Sequence, residues 1–145
     1  MANPGKLVGK EHHFPVRVYY EDTDAAGIVF YANYLRYAER ARSEFLRLIG
    51  FENSTVKAEH GVVFAVRRCE VDYLRPARLD DRLDMVTRII KIGGASTVMS
   101  QDVFLDGQAL VKIVIVLVCM TDEAGATRIP APLREKFEEF LISET

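Results

Sequence analysis

Apolar and polar positions follow two different periods along this chain, and the change between them marks its organisation. Tyr34, Ala38, Ala41, Phe45 and Leu48 recur at spacings of four and three, and Leu35 and Ile49 widen the stripe. Arg36, Glu39, Arg40, Ser43, Glu44 and Arg47 fall on the other side. That pattern predicts an amphipathic helix of about five turns. Gly50 follows the last periodic residue, where a helix commonly stops. Ala38 and Ala41, in mid-stripe, allow the helix to lie close on a sheet.

The rest of the chain is strand-like. The β-rich runs are FPVRVYY (14–20), VVFAVRRCEVDYL (62–74), LDMVTRIIKI (83–92), STVMSQDVFL (96–105) and ALVKIVIVLVCM (109–120). The last, almost wholly apolar, reads as a fully buried central strand. Asp106-Gly107 is a tight-hairpin signal, Gly93-Gly94 makes another turn, and Asp122 to Gly125 a third. A short helix is expected over 53–60, capped by Ser54 or Thr55 and ended by Gly61. Pro130-Ala131-Pro132 opens a terminal helix with Leu133, Phe137, Phe140 and Leu141 on one face. Residues 1–13 are polar and read as a flexible tail in which His12 and His13 are solvated; residues 14–145 form one domain. The order is strand, long helix, then four strands in hairpin succession. That is an α+β arrangement, an antiparallel sheet of about five strands with one helix covering its apolar face.

Composition narrows the function. The net charge is −2, with no basic stripe, so no nucleic acid is expected as partner. The longest apolar run, Ile113 to Met120, is far short of the ~20 residues of a membrane helix, and the N-terminus carries no apolar run of signal-peptide length. The expected place is the cytoplasm. Cys69 and Cys119 form no metal-ligand spacing and read as two buried thiols, with no metal and no cofactor.

The chemistry concentrates before the long helix. Glu21, Asp22 and Asp24 lie in one short run, followed by Gly27. An aspartate of ordinary acidity is ionised at neutral pH. A helix N-terminus offers unpaired N–H groups and a partial positive charge, so such a loop can hold a carboxylate and polarise a carbonyl. Gly27 lets a ligand approach the backbone closely. Asp before a helix is also a common cap, and Asp22 or Thr23 has that alternative role.

The stretch YEDTDAAGIVFYANY (20–34), with LRYAERARSEFLR after it, closely resembles the 4-hydroxybenzoyl-CoA thioesterase family, nearest the YbgC-type acyl-CoA thioesterases associated with the Tol-Pal system. The likeness continues through VVFAVRRCEVDYLRPARLDDRL (62–83) and covers roughly residues 14–140. The resemblance implies the hotdog fold, a curved sheet wrapped around one long helix. It implies hydrolysis of an acyl-CoA thioester with Asp24 as catalytic carboxylate. It also implies that the Tyr31 backbone N–H helps bind the thioester carbonyl and that Tyr20 lies near the site. The sequence departs from the YbgC pattern at Tyr31, where many members carry His; His60 is the alternative base.

Asp24 then either attacks the carbonyl to form a mixed anhydride or takes a proton from water. Thiolate leaves readily, so no strong acid is required. N–H groups from Gly27 to Tyr31 would stabilise the oxyanion, and Asn33 is a candidate to orient the substrate. Phe30, Tyr31, Tyr34 and Phe64 are candidates for the acyl pocket, and Arg67, Arg68, Arg75, Arg78 and Lys91 for the CoA phosphates. The implied partners are acyl-CoA, with acyl carrier protein as the alternative carrier, and further copies of the chain in a homodimer or homotetramer. The competing readings are a hotdog dehydratase or hydratase, and a non-catalytic module that binds acyl carrier or lipid enzymes.

Overall fold

The computed structural model describes residues 3–123 and 125–142. In chain order the strands are β1 (Lys6–Val8), β2 (Glu11–Arg17), β3 (Val63–Tyr73), β4 (Arg82–Ile92), β5 (Ser96–Leu105), β6 (Gln108–Thr121) and β7 (Gly125–Ala126). The helices are α1 (Asn33–Leu48), α2 (Asn53–His60) and α3 (Ala131–Phe140). All strand pairings are antiparallel, in the order β1-β2-β4-β5-β6-β3, with β7 on β6.

The long helix and the four long strands from residue 62 onward lie where the two periods place them, whereas the first long strand covers 11–17 and not 14–20, with Tyr20 in a 3-10 turn. The order is not a simple hairpin succession. β3 does not pair with β4, which follows it; it crosses to the far edge and pairs with β6. Periodicity fixes which face a residue takes, not which strand is its neighbour. Asp106 and Gly107 both take positive φ, 49° and 82°, and close the β5–β6 hairpin as a turn of the twisted kind requires.

α1 lies on the concave face, with Tyr37, Ala38, Ala41 and Phe45 packed among Leu83, Met85 and Ile89 of β4, Met99 of β5 and Ile113 of β6. Each large apolar side chain so covered contributes roughly 1.5–3 kcal/mol. The buried stripe differs from the predicted one in detail. Tyr37 and Leu46 are buried, whereas Leu35 and Leu48 are exposed. Leu48 shares the angle of the stripe, so its exposure reflects what stands opposite the last turn and not the helix period.

Five expectations are corrected. Residues 6–13 are not a loose tail, because β1 and β2 form a hairpin that extends the sheet. His12 is fully buried, its ring stacked 5.5 Å from Phe45 and its Nε2 donating to the Pro4 carbonyl at 2.8 Å. β6 is not buried throughout; Lys112 is exposed and Val114 and Val116 are half-buried. Cys69, on the edge strand β3, is exposed, while Cys119 is buried. At α2 neither Ser54 nor Thr55 caps the helix; Glu52 holds that position without a side-chain bond, and Gly61 ends it at φ 67°.

Candidate functional site

The acidic run does not abut α1. It folds into a small platform of its own, which α1 then supports. Tyr20–Asp22 form a single 3-10 turn closed by the Thr23 N–H donating to the Tyr20 carbonyl at 3.2 Å. The chain reverses between Thr23 and Val29, which pair across a tight turn. In that turn the Asp24 N–H donates to the Ile28 carbonyl at 2.9 Å and the Gly27 N–H to the Asp24 carbonyl at 3.0 Å. Gly27 has φ 78°, a left-handed conformation that a residue with a Cβ adopts only with strain.

The two aspartates of the run have opposite fates. Asp22 is buried, at 8% exposure, and its carboxylate and carbonyl together tie three segments. Oδ2 accepts the Tyr19 N–H at 2.9 Å, Oδ1 accepts the Asn33 Nδ2 at 3.0 Å, and the Asp22 carbonyl accepts the Phe30 N–H at 2.9 Å. Burial, with the Asp22 carboxylate beside it, pushes the Tyr37 hydroxyl well above the usual tyrosine range. Asp24 is exposed, and its Oδ1 accepts the Ala26 N–H at 2.8 Å. It lines an open concavity of about 400 Å³ together with Tyr20, Thr23, Gly27 and Leu79. Of the expected site residues, Tyr20, Asp24 and Gly27 are therefore brought together.

Tyr31 sits across the Ile28–Val29 segment. It is 63% exposed and lines a second concavity of about 310 Å³ with Ile28, Tyr34, Tyr73, Leu74 and Arg75. α1 begins at Asn33, so Tyr31 precedes the helix and is not in its first turn. The N–H groups of Gly27, Val29, Phe30 and Asn33 all donate within the fold, to Asp24, Ala77, Asp22 and Phe30 respectively. On this stretch that leaves the backbone N–H groups of Ile28, Tyr31 and Ala32 unengaged and able to meet a carbonyl oxygen. Asn33 is 7% exposed, and its amide is engaged by Asp22 at both the carbonyl and the carboxylate. It holds the platform from below.

Several residues around the site carry no local signal in the sequence. The Tyr73 hydroxyl donates to the Tyr31 carbonyl at 3.1 Å, and the Ala77 N–H donates to the Tyr34 hydroxyl at 3.1 Å. The loop after β3 thus clamps the acidic loop, with Leu79 reaching the Asp24 concavity. His60 ends α2, with Glu59 as neighbour, and lines neither concavity. Phe64 packs on Phe137, and Phe30 is exposed. Of the basic candidates, Arg75 borders the Tyr31 concavity, Arg68 pairs with Glu70 at 2.5 Å, and Arg67, Arg78 and Lys91 are exposed. Among the described residues no group of three His, Cys, Asp or Glu side chains could hold a metal ion. No helix among them is long and apolar enough to cross a membrane.

The profile of the thioesterase superfamily matches residues 26–112. The acyl-CoA thioester hydrolase YbgC of Escherichia coli O6:H1 is 45% identical over 109 residues, 75% of this chain and 81% of that protein. The acyl-CoA thioesterase YbgC of Haemophilus influenzae is 40% identical over 107 residues, 74% of this chain and 79% of that one. A probable thioesterase from Bartonella henselae superposes with a TM-score of 0.79 at 36% identity, covering 83% of this chain and 99% of its own. With its single long helix held in a curved antiparallel sheet and these relatives across three-quarters of its length, the chain belongs to the thioesterase superfamily and has the hotdog fold.

Proposed function

We propose that the protein hydrolyses acyl-CoA thioesters to free acid and CoA at Asp24. The observation that carries this reading is the contrast within one short run. Asp22 is buried and bonded into the frame, while Asp24 stands exposed at the edge of a concavity beside Tyr20 and Gly27. One Asp24 oxygen accepts the Ala26 N–H, which orients the carboxylate and leaves the other oxygen for the substrate or for water. The thioester carbonyl lies toward Tyr31, where a backbone N–H meets the developing oxyanion; one such donor is worth roughly 10²–10³ in rate. Asn33 acts through Asp22 as a positioning residue. Arg75, beside the aromatic wall of Tyr31 and Tyr73, meets a CoA phosphate.

Both routes, attack by Asp24 and activation of water by Asp24, start from this geometry. A rapid acid quench that finds the acyl group on the chain selects the first, and its absence during turnover selects the second. CoA is the carrier favoured by the YbgC relatives, with acyl carrier protein the alternative, and the cytoplasm is the place where either is met. β3 carries Val66, Tyr73 and other exposed side chains, and its outer edge pairs with no strand among the described residues. A second copy on that edge would cover both, giving a dimer that light scattering would register at twice the chain mass.

The experiment is hydrolysis of an acyl-CoA panel by wild type and Asp24→Asn, followed by loss of thioester absorbance. Turnover by wild type alone is expected. Near-normal turnover by Asp24→Asn refutes the role of Asp24. Wild type that turns over no thioester but hydrates enoyl-CoA, or only binds an acyl carrier, transfers the reading to the competing classes.

A further inference from the structure

The concavity at Asp24 has one wall that the acidic loop does not supply, and Leu79 forms it. Leu79 lies between β3 and β4 and is 40% exposed. A single exposed leucine is ordinary. What sets this one apart is how firmly the chain around it is held. Leu79 and Asp80 are the central residues of a tight turn from Arg78 to Asp81, closed by the Asp81 N–H donating to the Arg78 carbonyl at 3.1 Å. Asp80 takes φ 71°, the left-handed value that a type II turn requires at its third residue, where glycine or asparagine is usual. A strained residue of this kind persists only where its surroundings over-determine it.

The surroundings do so on both sides. The Arg78 N–H donates to Asp81 Oδ2 at 2.8 Å. The Asp80 N–H donates to the Val18 carbonyl at 3.0 Å, and the Val18 N–H to the Asp81 carbonyl at 2.9 Å. Arg17 Nη1 donates to the Asp80 carbonyl at 3.0 Å. On the other flank Arg78 pairs with Ile28, and the Val29 N–H donates to the Ala77 carbonyl at 2.9 Å. The turn is thus fastened to the segment that enters the acidic loop and to the segment that leaves it. Leu79 is carried on a backbone that cannot yield separately from the loop of Asp24, and a contact held in that way discriminates between ligands.

A thioester whose carbonyl lies between Asp24 and the Tyr31 N–H has two arms. The concavity on the Tyr31 side, bordered by Arg75, takes the CoA arm. The acyl arm then runs on the other side, along the concavity that Asp24 shares with Leu79. There Thr23, Ala25 and Gly27 are small, and Tyr20, at 83% exposure, stands at the rim. Leu79 is the large apolar side chain that a lengthening acyl group meets.

We propose that Leu79 sets the acyl-chain length that the protein accepts. Groups that end against Leu79 gain its apolar contact, and longer groups have to bend past it. Leu79 takes no part in the chemical step. The inference rests on Asp24 as the site of hydrolysis.

The test measures kcat/KM for acetyl-, butyryl-, hexanoyl- and octanoyl-CoA with wild type, Leu79→Ala and Leu79→Trp. The ratio of octanoyl-CoA to acetyl-CoA should rise about 10-fold in Leu79→Ala and fall by a similar factor in Leu79→Trp, the low end of what a methylene is worth in an apolar pocket. Opposite shifts in the two variants are what a general loosening of the loop does not produce. Neither change removes a hydrogen bond of the turn, and thermal unfolding checks that the fold is kept; if Leu79→Trp fails to fold, Leu79→Phe takes its place. Ratios unmoved in the variants, or all four substrates changed by one common factor, overturn the role of Leu79 and leave Asp24 in place, the common factor being what contact with the CoA arm would give. Wild type that hydrolyses none of the four overturns both.

Discussion

Asp22 and Asp24 are two residues apart, yet replacing each by asparagine should give opposite outcomes. In Asp22→Asn one carboxylate oxygen becomes an NH₂ group. The two oxygens of Asp22 face donors, the Tyr19 N–H at 2.9 Å and the Asn33 Nδ2 at 3.0 Å. Whichever way the new amide turns, an NH₂ meets a buried donor. One hydrogen bond to a charged acceptor is lost, at about 1.5–3 kcal/mol, and a covered donor is left unsatisfied, at about 1–3 kcal/mol. Relief from burying the charge offsets part of this, leaving a net destabilisation of about 2 kcal/mol. For a chain of this size that lowers Tm by roughly 4–8 °C. Asp24→Asn meets no such conflict. Asp24 is exposed, and an amide carbonyl still accepts the Ala26 N–H, so stability should hold within about 0.5 kcal/mol of wild type while turnover is lost. Thermal unfolding by circular dichroism, run beside thioester hydrolysis, reads both quantities. Asp22→Asn with an unchanged Tm, or Asp24→Asn as destabilised as Asp22→Asn, would refute this division of labour.

Gly5→Ala tests the N-terminal hairpin. A Cβ at this position would lie 2.3 Å from the His13 carbonyl oxygen at φ 75°, so a loss of about 1–2 kcal/mol is expected in urea unfolding, where a loose tail would show none. His12 should make stability fall as pH drops. Burial holds its pKa below the ordinary value, against the opposing Pro4 hydrogen bond, so below about pH 6.5 the unfolded chain takes a proton that the folded chain refuses. His13 works in the other direction. Burial opposes its charge, but Asp84 and Glu11 raise its pKa, so its stabilisation is complete below about pH 6.5 and fades as pH rises through the folded value. The slope of Tm between pH 7 and pH 5 should therefore become less adverse to low pH in His12→Phe, and an unchanged slope would sink the assignment. Cys69, exposed on β3 of the single chain, should be shielded from maleimide in the dimer and label once dilution dissociates it, which mass spectrometry of peptides resolves; equal rates in both states would contradict a second copy on the edge of β3.

The sequence determined the features that depend on near neighbours. The period of three and four announced α1, the alternating runs announced the five long strands, and Asp106-Gly107 announced its hairpin, because each is enforced by backbone geometry within a few residues. The run at 21–24 and Gly27 located the loop, since carboxylates and a left-handed glycine are visible one residue at a time. Tertiary structure decided the rest. It placed β3 beside β6 and not β4, and it drew residues 6–13 into the sheet. It buried Asp22 while exposing Asp24, turned Asn33 inward, and brought Tyr73 and Leu79 to a site more than 40 residues away in sequence, as the span of 42 from Tyr31 to Tyr73 illustrates. Such outcomes depend on which groups compete for the same covered donors and acceptors, and that competition is settled only when distant segments meet.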